Sequence, residues 1–169
     1  MEFWMFDSPI GPLALGEENG AIVRLWLPGQ PTPRLMPHPT PLLERAEGQI
    51  LEYFNGQRQV FDLPLAPVGT PFQRKVWRAL REIPYGRVES YGTLANRIGS
   101  PGGARAVGMA NHGNPIPILI PCHRVVGADG RLTGYAGGLA CKVRLLKLEG
   151  ALAQKNPAVP LEKIRAKMV

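Results

Sequence analysis

Two cysteines in 169 residues cannot staple a fold of this size, so Cys122 and Cys141 are expected as free thiols in a reducing compartment. Three histidines, His38, His112 and His123, lie too far apart in sequence to build a zinc site with two cysteines, so no metal and no other cofactor is expected. No apolar run reaches the length that crosses a bilayer. The N-terminus also lacks the basic-then-apolar pattern of a secretion signal. These absences point to a cytoplasmic protein with no membrane partner. Enough is left to bury a core: 44% of residues are hydrophobic and 20% are charged.

Charge is unevenly spread. Residues 1–68 carry 4 basic and 8 acidic side chains, whereas residues 69–150 carry 12 basic and 4 acidic, and residues 151–169 carry 4 basic and 1 acidic. An acidic part joined to a strongly basic one suits a module that docks on a polyanion. The break falls near Pro67, Gly69 and Pro71, which places an N-terminal domain over 1–66, a second domain over 67–151 and a basic tail over 152–169.

The first part reads as strands over 3–7, 13–16 and 21–27, with Asn19-Gly20 as a hairpin turn. Six prolines between 28 and 41 mark a loop. A helix is expected over 42–55, closed by Gly56, and a last short strand over 59–63. In the second part Thr70 and Pro71 start a helix over 72–82, and Ser90 caps a short helix over 91–98. A turn rich in glycine, 99–103, leads to another helix over 104–112. That pair has the form of a helix-turn-helix. Residues 114–121 are apolar but interrupted by Pro115, Pro117 and Pro121, so they form neither a central strand nor a helix. A final helix spans 139–149. The fold class is α+β.

The chemistry concentrates at Pro121-Cys122-His123-Arg124-Val125-Val126. A thiol attacks as thiolate, and an adjacent imidazole oriented by a carboxylate is the usual activating device. Four carboxylates are available in the basic part: Glu82, Glu89, Asp129 and Glu149. Glu149, at the end of the last helix, is the preferred partner. On adjacency alone, the inert buried side chain is the commoner reading of such a cysteine.

The wider pattern decides between these. The stretch 114–126, together with Thr70-Pro71-Phe72-Gln73, Ile83-Pro84-Tyr85-Gly86, Ser90-Tyr91, Ala104-Arg105-Ala106-Val107-Gly108 and Gly134-Tyr135-Ala136-Gly137-Gly138, resembles the O6-alkylguanine-DNA alkyltransferases, in that family's order. The likeness covers about residues 69–150 closely and the N-terminal part loosely. It implies a small RNase H-like α/β domain followed by a mainly helical, winged-helix-like domain. Cys122 is then the alkyl acceptor, His123 its base through a water, Glu149 the group that orients His123, and Asn114 the brace of the turn. Tyr91 donates toward the guanine. Arg105 enters the base stack from a helix in the minor groove, with Ala104, Ala106 and Gly108 allowing close approach. Independently of the resemblance, Arg97, Arg74, Arg78 and Lys75 are candidate phosphate contacts, each weak by itself. Pro117, Val125, Tyr135, Ala136, Gly137 and Gly138 form the substrate pocket, although many relatives carry Ser where this chain has Ala136.

The resemblance implies repair of O6-alkylguanine, and of O4-alkylthymine, in double-stranded DNA, by irreversible transfer to a protein that is used once. A monomer is expected, with cooperative assembly on DNA left open. The alternatives are a helix-turn-helix protein that binds alkylated DNA without repairing it, a helix-turn-helix transcription factor, a methylation-responsive regulator, and a cysteine hydrolase. In the first, the reactive cysteine is replaced; the second leaves Cys122-His123 without a purpose. The regulator would call for a cysteine-rich sensor domain that the chain lacks, and the hydrolase gives no reason for the basic helix pair.

Overall fold

The computed structural model describes residues 1–151; the expected tail over 152–169 lies outside them. The described residues divide into two compact units, one formed by 1–68 with 115–119 and the other by 69–114 with 120–151. In this division residues 67–68 and the proline-interrupted stretch 115–119 fall with the first unit, not with a second domain over 67–151. Backbone pairing explains this: the Leu25 amide donates to the Pro115 carbonyl at 2.9 Å.

The first unit is a three-stranded antiparallel meander, β1 (Glu2–Ser8), β2 (Gly11–Glu18) and β3 (Ala21–Trp26), in that order. Asn19 and Gly20 both take positive φ (49° and 77°), the geometry of a tight two-residue hairpin that Asn-Gly adopts readily. Helix α1 (Pro41–Phe54) packs on β1 and β2. The Thr40 hydroxyl caps it by accepting from the Leu43 amide at 3.1 Å, and Pro41 occupies its first turn. Leu43, Ala46, Ile50 and Tyr53 recur at helical spacing and are fully buried. The strand expected over 59–63 does not form. That segment is held instead by Gln49, whose side chain bonds both the amide (2.9 Å) and the carbonyl (3.2 Å) of Asp62. The only pairing nearby is an isolated parallel bridge from Ile22 to Leu65.

The second unit contains α2 (Pro71–Leu80), β4 (Glu89–Ser90), α3 (Tyr91–Arg97), α4 (Ala104–His112), a single 3-10 turn (Cys122–Arg124), β5 (Val125–Val126) and α5 (Leu139–Leu148). A reciprocal capping box starts α2: Thr70 Oγ1 accepts from the Gln73 amide and Gln73 Oε1 accepts from the Thr70 amide. Trp77 is buried and its indole donates to the Ala110 carbonyl at 2.8 Å, which ties α2 to α4. Gly69 permits that packing, because a Cβ there would lie 2.4 Å from the Trp77 ring. Ser90 caps α3, and α3 packs against α4. Strands β4 and β5 pair in parallel, Glu89 with Val125 and Ser90 with Val126. The residues that start α3 are thereby fixed beside the residues that follow Cys122. A cluster of Val126, Leu132, Val143, Leu146 and Ala151 seats α5 beneath them. Among the described residues no helix is long and apolar enough to cross a membrane.

Candidate active site

Cys122 opens the 3-10 turn and is 5% exposed. Two asparagines hold its backbone. Asn111, on the inner face of α4, donates from Nδ2 to the Cys122 carbonyl at 3.3 Å. Asn114, just past the end of α4, donates from Nδ2 to the Ile120 carbonyl at 2.8 Å. Burial pushes the thiol above its ordinary range, while the Asn114 side chain and the Lys142 ammonium oppose that rise.

His123 is fully buried, and its Nε2 lies 2.6 Å from Glu149 Oε2. Of the four candidate carboxylates, Glu149 is the one that reaches the ring. Burial would raise the Glu149 carboxyl, but the His123 contact and the Arg124 guanidinium outweigh it and hold the group well below the usual carboxylate range. Arg124 donates from Nε to Oε1 (2.8 Å) and from Nη2 to Oε2 (3.1 Å), a forked contact, and from Nη1 to the Ile83 carbonyl (2.7 Å). Burial lowers the His123 imidazole below its ordinary value despite Glu149, so the ring is neutral near pH 7. A carboxylate on Nε2 places the ring proton there. Nδ1 is left as a lone pair, buried and without a protein partner.

An open cleft of about 650 Å³ has walls that include Tyr91, Ala104, Arg105 and Gly108, with Met109, His112, Thr133 and Gly134; Cys122 and His123 are not on its wall, and Tyr91 is the wall residue that feels the Cys122 thiol electrostatically. Arg105 and Ala106 are exposed on α4. Tyr91 begins α3, and its phenol accepts from Thr133 Oγ1 at 3.1 Å. Burial raises the phenol above its usual value, so it stays protonated at neutral pH.

Several expected residues sit elsewhere. Arg97 is not a free phosphate contact: its guanidinium bonds Glu89 (3.0 and 3.1 Å), pairs with Glu82, and donates to the Ala79 carbonyl at 2.8 Å. The pocket residues are likewise not on the cleft wall. Pro117 is buried in the first unit, Val125 is buried in β5, and the Tyr135 ring turns inward at 8% exposure. Ala136 and Gly138 are exposed and Gly137 is half-buried, in the turn that starts α5. Thr133 and Gly134 take the wall positions instead.

Sequence reasoning missed Asn111, Arg124 and Lys142, all buried. For Asn111 and Lys142 the signal is periodic. Asn111 lies four residues beyond buried Val107, and Lys142 lies three and four residues before buried Leu145 and Leu146 on α5. Arg124 follows Cys-His with no acidic neighbour in sequence, so nothing local marks it as buried. Cys141 is half-buried, and burial pushes its thiol up to about 11.

Known proteins resemble this chain in sequence and fold. Residues 71–151 match the family described as 6-O-methylguanine DNA methyltransferase, DNA binding domain. A methylated-DNA–protein-cysteine methyltransferase of Methanosarcina acetivorans is 48% identical, covering 89% of this chain and 99% of that protein. The constitutive enzyme of the same name from Bacillus subtilis is 46% identical over 85% of this chain and 92% of its own. The crystal structure of Mycobacterium tuberculosis OGT in complex with DNA superposes with a TM-score of 0.82 at 44% identity, covering 97% of this chain and 98% of that one. With a reactive-type cysteine, a buried His–Glu pair and relatives of this closeness along nearly its whole length, the chain belongs to the methylated-DNA–protein-cysteine methyltransferase family.

Proposed function

We propose that this protein repairs O6-alkylguanine in double-stranded DNA by moving the alkyl group to Cys122, once and irreversibly. One observation carries the reading: the thiol that opens the 3-10 turn is followed directly in sequence by His123, whose Nε2 is fixed by Glu149 and whose Nδ1 is buried with no partner. Because burial keeps the thiol protonated at rest, the proton leaves as attack begins. It passes to His123 Nδ1, through a bridging water, and Glu149 stabilises the imidazolium. Sulfur then forms a bond to the alkyl carbon in line with the departing C–O6 bond, whose electron pair stays on the guanine. Tyr91, held protonated, donates to the base and limits the charge it must carry. A thioether does not hydrolyse, so the protein is spent.

The lesion must leave the helical stack to meet a side chain, at a cost of a few kcal/mol in lost stacking. Helices α3 and α4 serve as a helix-turn-helix in a winged-helix-like unit, with α4 in the minor groove and Arg105 filling the vacated place. Exposed Arg105 and Ala106, with small Ala104 and Gly108 beside them, support close approach. The same chemistry extends to O4-alkylthymine. The meander with α1 against it is read as an RNase H-like support, and the boundary near residue 67 as the join between the two parts. Substrate contacts from backbone near Val125 and Ala136, a monomeric state and a cytoplasmic setting belong to the same reading.

The test is direct. Mixed with a duplex containing O6-methylguanine, the protein should gain one methylene in mass on the Cys122 peptide, and Cys122→Ala should gain none. Transfer to another residue, or none, would overturn the assignment.

A further inference from the structure

Lys142 is wholly buried on α5, yet no carboxylate pairs with it among the described residues. Its ammonium donates to two backbone carbonyls, Val125 at 2.7 Å and Thr133 at 3.0 Å. These carbonyls belong to different parts of the centre. Val125 directly follows the 3-10 turn that carries Cys122. Thr133 is the residue whose hydroxyl holds the Tyr91 phenol. One cation therefore anchors both the nucleophile's segment and the segment that positions the proposed donor.

Burying an ammonium against carbonyl dipoles alone is costly, because they replace only part of its hydration. The charged and titratable groups of the elements packed here are Cys122, His123 and Arg124 on the 3-10 turn, Tyr91 beyond Thr133, and Cys141, Arg144, Lys147 and Glu149 along α5 and its end; of these, Cys122 and His123 feel the ammonium electrostatically. Glu149 is the one carboxylate of that set, and it is committed to His123 and Arg124. The neighbouring acid left to balance the ammonium is the Cys122 thiol, and the two groups each favour the other's charged form.

Resting on the alkyl-transfer reading, we propose that Lys142 is a positioning residue that ties the Cys122 and Tyr91 segments together and supplies the positive charge that balances the Cys122 thiolate as it forms. Burial lowers the ammonium to about 8, so it is still mostly charged at neutral pH and available for that role. It touches neither the base nor the alkyl group.

The experiment follows the rate of Cys122 carbamidomethylation by iodoacetamide against pH, in a Cys141→Ser background where Cys122 is the only thiol. Adding Lys142→Met should move the thiol's titration to higher pH by about one unit and slow reaction at pH 7 roughly tenfold, with alkyl transfer from DNA falling at least as much. The thiol titration needs no DNA, so it reports on Lys142 even where transfer from DNA fails. Folded Lys142→Met protein with the parent profile would overturn the proposal. If that variant does not fold, the Lys142 ¹³Cε titration is followed by NMR in Cys122→Ser and in Cys122→Asp, whose carboxylate stands in for the thiolate. A higher midpoint in Cys122→Asp supports the charge pairing, and equal midpoints overturn it.

Discussion

Glu149 Oε2 lies 2.6 Å from His123 Nε2 while the same carboxylate takes a forked contact from Arg124. One buried anion thus sets the tautomer of the proposed base and neutralises an otherwise uncompensated guanidinium. Glu149→Gln keeps the shape but removes the charge, leaving Arg124 buried without its counter-ion. Losing one partner of a buried pair costs about 3–5 kcal/mol. Urea melts should register that loss, and alkyl transfer should fall at least 100-fold. A variant as stable and active as the parent would mean that the network is ornamental.

The same pair dictates how stability responds to acid. His123 has its folded value depressed, so its contribution is complete above the unfolded value of about 6.5 and declines as pH falls below it. Glu149 is depressed as well, so its contribution is complete above about 4.3 and is lost as pH falls further. Unfolding free energy should therefore decline in two stages on acidification, the first beginning near pH 6.5. In Glu149→Gln the second stage should shrink. Flat stability from pH 7 to pH 4 would contradict the buried neutral imidazole.

Arg105 is exposed on α4 at the edge of the cleft. Arg105→Ala should leave reaction with free O6-benzylguanine within about twofold, since that substrate needs no extrusion. Repair of a duplex lesion should drop by two orders of magnitude or so, a few kcal/mol of lost stacking compensation. Equal losses on both substrates would assign Arg105 to the chemistry or to the fold instead.

Gly108 faces the Tyr91 ring, and a Cβ added there would sit 3.8 Å from it, an ordinary contact. Gly108→Ala should fold well and gain up to about 1 kcal/mol from helix propensity. If α4 lies close in the minor groove, the added methyl should weaken DNA binding in a filter or anisotropy assay while leaving free-base reaction intact. Unchanged DNA affinity would argue against close approach of this face.

Much of this architecture could be read before any coordinates. Caps at Thr70 and Ser90, the Asn19-Gly20 hairpin and the apolar period of α1 are local signals, and each element formed within two residues of its expected bounds. What failed was non-local. Residues 59–63 look strand-like, but the neighbouring Gln49 takes the Asp62 backbone groups. Arg97 looks like a free cation until α3 brings it to Glu82 and Glu89, fifteen and eight residues away. The Cys122-His123 pair was legible from its motif, whereas the pairing of β4 with β5 that fixes it, and the buried charges of Arg124 and Lys142, depend on contacts across the chain.

The most direct measurement is stoichiometry. With excess duplex carrying O6-methylguanine, lesions removed should rise with time and stop at one per protein molecule, with the methyl recovered as S-methylcysteine at position 122. Continued removal beyond one equivalent, or a methyl released to water, would contradict a sulfur that keeps what it takes.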